Sequence, residues 1–366
     1  MKFCFWGNIY GALTGDTPGG AELQLSIIIK ELVDLGHSVS VIDFYIKDDE
    51  RISKNLIVYS LARRSSNYLH RLIAFYKLLI EQNSNYYYAR MPSSFHLIGY
   101  IAARKLKKKF VLGLAHDLDT FNFYQRYNYK YGLRTGWLHL KQLITNELIF
   151  NYLLKKSDFI IAQHEVQQMN LKKRGIYANI CLNLFDNKQH QGQINNSNNG
   201  TYLFLGSIDK SKGIDMMENI ILRCKTANFK IIGRCRDEYS KRKLQRIIRN
   251  KNVDYYNQLS HDEVFNHLTN SKALISTSQL EGFPNIFLES WSVGTPVISL
   301  NVNPGNVITK FDLGAYCNGD LNYLIEIIEG TIKMKTDPFK LMDYVNQNHK
   351  STTNIKKSLK IIGSKN

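Results

Sequence analysis

"STSQLEGFPNIFLESWSVGTPVISL", Ser276 to Leu300, places Glu281 and Glu289 on either side of a Gly-Phe-Pro turn, with seven residues between them. The preceding "KALISTS" reads as a buried strand, as does the closing "TPVISL", and "NIFLESWSV" between them reads as a helix. A strand, a helix and a second strand in succession imply parallel pairing, with the helix packed on the sheet. Gly282 permits a tight turn with unusual dihedrals. Pro284 lacks an N–H and suits the first helical turn. The helix then opens at about Asn285 with free N–H groups, an end that attracts phosphate. Two carboxylates beside such an end suit a sugar nucleotide, because a carboxylate accepts hydrogen bonds from vicinal hydroxyls. A capping acid followed by an exposed helical acid would satisfy the same spacing.

The chain around this stretch has 366 residues, enough for two domains, and its 44% hydrophobic content supports real cores. No apolar run approaches the ~18 residues of a spanning helix. The opening "MKFCFWGN" reads as a first strand rather than a secretory signal. The five cysteines are scattered without a C-x-x-C pair, which argues against a zinc site or a disulfide framework and for the cytosol. The net charge is +17, and Ser60–Phe110 holds ten Lys or Arg against one acid, Glu81. A solvated helical surface accounts for this, as does attraction to an anionic surface. No nucleic-acid-binding signature accompanies the charge, so a membrane is favoured and nucleic acid is not expected as a partner.

Strand-like and helix-like stretches alternate along both halves. "KFCFW", a helix opening near Gly20 and "SVSVIDF" form a first βαβ unit; "YYYAR", "KFVLGLAHD" and "KSDFIIAQ" continue the strands. The polar Asp186–Gly200 breaks the pattern, which restarts at "TYLFLG". The expected domains are 1–185, a linker at 186–200, 201–336, and a C-terminal helical segment at 337–366 that could pack back on the first domain. That tail could break near Ser351–Thr353. Ligands of open parallel sheets sit at the carboxyl ends of strands, which singles out the loops 7–20, 116–119, 206–213 and 277–285.

"EGFPNIFLESWSVGTPVI" resembles the Glu-x7-Glu signature of retaining glycosyltransferases of family 4. Ser278, Glu281, Gly282, Phe283, Glu289, Gly294, Pro296 and Val297 fall on its pattern, with Ser290 where alanine is usual. "FLGSIDKSKGID" resembles the loop whose Arg and Lys bind the donor diphosphate; Lys212 and Gly213 match, while Ser207 stands at the arginine position. Lys210 or Arg234 could supply the missing charge. "PGGAE" resembles the family's Gly-Gly turn, with Gly20 the close-approach residue, and "AHDLD" its strand-end His-Asp, with His116 beside the donor sugar.

The resemblance implies the GT-B fold, two Rossmann-like parallel-sheet domains facing across a cleft. The first domain would take the acceptor and the second the nucleotide-sugar, a UDP- or GDP-sugar. His116, Lys212 and Glu281 are the implied catalytic residues. Gly20, Ser207, Lys212, Gly213, Gly282, Phe283, Pro284, Asn285 and Glu289 are the implied donor site. Glu281 would orient the sugar and Glu289 the ribose. No metal and no cofactor beyond the nucleotide-sugar co-substrate is implied. Asp117-Leu118-Asp119 is also an Asp-x-Asp, the metal mark of the other large glycosyltransferase fold, but that fold leaves the second half unexplained. A nucleotide-sugar epimerase of the same fold, or a non-catalytic basic protein that kept it, are the alternatives.

Basic residues of the first half are followed by "FNFYQRYNYKYGLRTGW", where Phe121, Tyr124, Tyr127, Tyr131 and Trp137 alternate with Arg126, Lys130 and Arg134. Aromatics with cations suit a bilayer headgroup region. The expectation is a cytoplasmic enzyme docked on the inner face of the membrane, acting on a glycan or lipid-linked glycan in surface-polysaccharide assembly.

Overall fold

In the computed structural model, alternate residues of single strands feed different cores. Along Lys2–Gly7, Cys4 and Trp6 enter one cluster and Phe3 and Phe5 another; along Thr201–Leu205, Tyr202 and Phe204 face away from Leu203. A strand apolar on both faces must be covered on both, which parallel sheets with crossover helices achieve. The structure describes residues 1–15, 19–64, 67–131, 147–186 and 200–363. It divides into two units, Met1–Leu184 with Ser351–Asn366, and Phe185–Lys350.

The first unit contains β1 (Lys2–Gly7), β2 (Ser38–Asp43), β3 (Glu50–Ser53), β4 (Leu56–Ser60), β5 (Tyr86–Arg90), β6 (Lys109–Gly113), β7 (Phe159–Ala162) and β8 (Asn179–Ile180). Their order is β3-β4-β2-β1-β5-β6-β7-β8. Among the described strands only β3 pairs antiparallel, with β4. Sequence reading passes over that hairpin because β3 is short, polar and mostly exposed.

The second unit contains β9 (Thr201–Leu205), β10 (Phe229–Ile232), β11 (Val253–Tyr256), β12 (Ser271–Ser276), β13 (Val297–Ser299) and β14 (Gly314–Tyr316), all parallel, in the order β11-β10-β9-β12-β13-β14. The order reverses between β9 and β12, as in dinucleotide-binding sheets.

The helical tail is two helices. Pro338–Asn348 packs in the second unit, where Tyr344 meets the Trp291 ring edge-on at 5.6 Å. Ser351–Gly363 belongs to the first, where the Ser351 hydroxyl donates to the buried Glu31. The break falls at His349–Lys350, ahead of the expected Ser351–Thr353. The linker residues 187–199 lie outside the described residues.

The motif's Gly294 ends the helix Asn285–Ser292. Its φ is +77°, and a methyl group there would sit 2.7 Å from Pro338 Cβ. Ser290, in the usual alanine position, is fully buried but donates to the Thr295 carbonyl at 2.8 Å, so its hydroxyl is satisfied. Gly294→Ala is expected to cost about 1–2 kcal/mol for the left-handed backbone and more for the clash. Gly36, also left-handed but facing open space, is the control: in urea denaturation, Gly294→Ala should lower the midpoint clearly more than Gly36→Ala.

Candidate functional site

β9 and β12 lie side by side where the strand order reverses, the kind of point at which open parallel sheets form a ligand crevice at their strands' carboxyl ends. The loops 206–213 and 277–284 both open there. The Thr277 hydroxyl donates to the Lys212 carbonyl at 2.8 Å, and the Gln279 N–H donates to the Ser211 carbonyl at 3.1 Å. Gly213, at φ +76°, approaches Thr277 so closely that a methyl group would stand 2.1 Å from its carbonyl oxygen. Only glycine fits both the dihedral and the space. This contact brings Lys212 to Glu281, and its ammonium donates to the Glu281 carboxylate. A cation and a partly exposed acid thus share one rim of the crevice.

Asp209, which sequence reading did not single out, organises the first loop. It accepts from the Ser207 hydroxyl at 3.2 Å, the Ser211 hydroxyl at 2.5 Å and the Lys212 N–H at 3.0 Å. Burial opposes its ionisation, but the hydrogen bonds from Ser211, Lys212 and Ser207, with Arg236 nearby, outweigh burial and hold the carboxyl below its usual range. Ser207 therefore serves the loop's own structure. Arg234 and Arg236 stand exposed on the adjoining loop after β10, and Arg236 lies 3.9 Å from Asp209. They and Lys210 are the cations available where an arginine is usual.

The helix Asn285–Ser292 begins after Pro284, which supplies no side-chain cap; the Phe287 N–H turns back to the Pro284 carbonyl at 3.1 Å. The Phe283 ring does not line that opening. It is buried against His349 and Trp291, leaving only main chain at this position for a ligand. Glu289 lies one turn in. No described residue bonds or pairs with its carboxylate, and burial pushes its pKa up to about 7. It is neither a cap nor an exposed helical acid.

In the first unit, His116 follows β6 and caps the short helix Asp117–Thr120, its Nδ1 accepting from the Leu118 N–H at 3.1 Å. Asp119 accepts from the Ala115 and His116 N–H groups and pairs with Arg126 at 3.3 Å. Asp117 accepts from His164 at 3.0 Å and Gln167 at 2.9 Å. Both acids of the Asp-x-Asp thus hold protein donors. Gly20 opens the helix Gly20–Asp34 after an N-cap, Gly19, that supplies no side-chain bond. The basic surface is smaller than the sequence suggests. Arg90 and Arg126 are buried, while Arg104 and Lys109 share Asp158. Arg134 and Trp137 lie outside the described residues, as do the side chains of Tyr127, Lys130 and Tyr131.

Residues 185–316 match the family model described as glycosyl transferases group 1. Over 299 residues the chain is 25% identical to an uncharacterized glycosyltransferase of Methanocaldococcus jannaschii, spanning 78% of this chain and 76% of that one. It resembles the apo form of the lipopolysaccharide outer core galactosyltransferase WaaB, with 19% identity and a TM-score of 0.67 over the whole of both chains. It also resembles HepE of Anabaena in complex with UDP and glucose, with 16% identity and a TM-score of 0.68 over the whole of both chains. The fold is that of the GT-B glycosyltransferases, two parallel-sheet domains, and the family match supports a glycosyltransferase.

Glu289 sets a pH signature. Its folded pKa lies above the unfolded value, so its contribution to stability is lost as pH rises from about 4.5 to about 7. Glu289→Gln removes that loss. The variant's thermal midpoint should match wild type near pH 4.5 and exceed it by a few degrees near pH 8. Coincident pH profiles would show that this carboxyl is not held neutral.

Proposed function

We propose that the protein is a retaining, metal-independent glycosyltransferase that moves a sugar from a UDP- or GDP-sugar to a glycan acceptor, lipid-linked, in surface-polysaccharide assembly at the cytoplasmic face of a membrane. The observation that carries the reading is the Lys212–Glu281 pair at the reversal point of the second sheet, beside the uncapped helix after Pro284. Lys212, the loop cations and the helix N–H groups would stabilise a departing diphosphate. Glu281 would orient sugar hydroxyls, and Glu289 would accept from the ribose diol. His116 is the candidate catalytic group of the first unit.

Retention follows from attack on the face the leaving group vacates. The bond from the anomeric carbon to the diphosphate oxygen breaks as the acceptor hydroxyl oxygen bonds to that carbon. The hydroxyl proton passes to the departing diphosphate, so no protein nucleophile is needed and catalysis consists of positioning and charge stabilisation. Metal independence is supported by the Asp-x-Asp acids: both oxygens of Asp119 are engaged by Arg126 and two backbone N–H groups, and Oδ1 of Asp117 by His164 and Gln167. In HepE the bound ligands are UDP and glucose, which supports a nucleotide-sugar donor. The role of WaaB in lipopolysaccharide supports a surface glycan as product.

Membrane docking is supported by the helix Tyr68–Gln82 more than by the Lys107–Lys109 run. Tyr68, Leu69 and Ile73 are exposed apolar residues on it, and Lys77 extends the Leu69–Ile73 row by one turn, also exposed. Apolar residues at four-residue spacing with a cation in the row suit an interfacial helix. No described helix is long and apolar enough to cross a membrane.

Two outcomes test the reading. With EDTA present throughout, Glu281→Gln and Lys212→Ala should each lower turnover by ~10²–10³ with unchanged circular dichroism; near-native turnover in both would remove the site assignment, and loss of wild-type activity on chelation would remove metal independence. In liposome sedimentation at low salt, wild type should pellet with anionic but not neutral vesicles, and Leu69→Gln/Ile73→Gln/Lys77→Gln should stay in the supernatant. Wild type remaining soluble with both would leave a soluble acceptor as the better reading.

A further inference from the structure

The first unit buries two arginines with opposite electrostatic surroundings. Arg126 lies between Asp119, at 3.3 Å, and Glu147, at 2.5 Å, with its guanidinium over the Phe150 ring. Arg90 is 7% exposed and pairs with no carboxylate among the described residues. Its Nε has no hydrogen-bond partner, while the neutral Tyr88 phenol hydrogen-bonds with the guanidinium and does not balance its charge. A guanidinium stays charged at any accessible pH, so burial without a counter-ion cannot be relieved by losing a proton.

The position of Arg90 is as informative as its isolation. It is the last residue of β5, which lies beside β1 where the strand order of the first sheet reverses. Ligands of open parallel sheets bind at that kind of point, at the carboxyl ends of the strands. The next residue, Met91, holds a left-handed backbone with φ +65°, a strained conformation for an unbranched side chain with no local cap. Two buried groups hold it there. The Trp6 indole N–H donates to His96 Nδ1 at 2.9 Å, which leaves the His96 proton on Nε2, and Nε2–H donates to the Met91 carbonyl. Burial pushes the His96 pKa down to about 4, against the hydrogen bonds to the Met91 and Arg90 carbonyls, so the ring is neutral and this tautomer persists at neutral pH. The turn after Arg90 is thereby fixed by β1 itself.

We propose that Arg90 is the anion-recognition residue of a binding site at the reversal point of the first sheet, and that it takes a phosphate or carboxylate group carried by the acceptor. The strained, pinned turn at Met91 keeps the strand end, and with it the guanidinium, in one place before a ligand arrives. A flat fork with an unused Nε–H matches a two-oxygen anion in a way a neutral sugar hydroxyl does not. That the anion belongs to a sugar acceptor rests on the glycosyltransferase reading; that Arg90 binds an anion does not.

The test uses the full chain as wild type, Arg90→Met and Arg90→Lys, with Lys212→Ala as a control for anions bound at the second unit. Thermal midpoints are measured in inorganic phosphate, in glucuronate and in chloride at matched ionic strength. In chloride, Arg90→Met should be at least as stable as wild type, because it removes an uncompensated buried charge. Phosphate, glucuronate or both should raise the midpoint of wild type and Lys212→Ala by several degrees, leave Arg90→Met unmoved and shift Arg90→Lys less. A shift with phosphate alone identifies a phosphorylated acceptor, and one with glucuronate alone a uronic acid. Equal shifts in wild type and Arg90→Met, no shift in wild type with either anion, or an Arg90→Met markedly less stable than wild type in chloride would each overturn the proposal. UDP- and GDP-sugar binding, measured on the same samples, separates the two readings: its absence in wild type defeats the glycosyltransferase reading and leaves the anion result standing on its own.

Discussion

The approach of Gly213 to the Thr277 carbonyl governs the second unit's site. With a Cβ at that position 2.1 Å from the oxygen, any other residue would push the two loops apart. Held together, they exchange the Thr277 and Gln279 hydrogen bonds with the main chain of residues 211–212 and set Lys212 against Glu281. Asp209 repeats the principle within one loop, gathering two hydroxyls and an N–H about a single carboxylate. The result is preorganisation. The groups that would meet a diphosphate and a sugar are fixed by backbone contacts, so little ordering remains when a ligand arrives.

Buried charge separates structural residues from those with something left to bind. Arg126 is enclosed by two carboxylates and stacked on a ring, so its charge is balanced within the fold. Its partner Asp119 in turn holds the backbone at Ala115 and His116, which ties the ion pair to the position of the His116 loop. Glu289 and Arg90 have no such balance. A carboxyl can answer burial by taking up a proton, and for half-buried Glu289 burial raises the pKa to about 7. A guanidinium has no such route, and Arg90 keeps its charge. Arg90 ends β5, and Glu289 lies one turn into the helix that follows Pro284.

Much of the fold is legible in the sequence because its signals are local. The alternation of strand and helix, the opening of a helix at Gly20 and the turn at Gly282–Pro284 each depend on residues within a few positions of one another. The polar hairpin partner β3 was not legible, since an exposed short strand carries no apolar period. Neither was the role of Asp209, an ordinary loop acid until its three donors are seen around it. The distribution of surface charge was not legible either: a count of basic residues in Ser60–Phe110 cannot tell that Arg90 is buried or that Arg104 and Lys109 share Asp158.

By itself the sequence determined two α/β halves and the loops at their strand ends that carry Lys212, Glu281 and Glu289, because periodicity, turn chemistry and motif spacing are properties of neighbouring residues. Tertiary structure decided which charges meet. Lys212 and Glu281 are 69 positions apart and touch only because β9 and β12 are adjacent in the sheet. Asp119 and Arg126 pair, while Arg90, at the end of β5, reaches no acid among the described residues. Strand order fixes these pairings, and strand order is set by packing between distant segments, which no local pattern encodes.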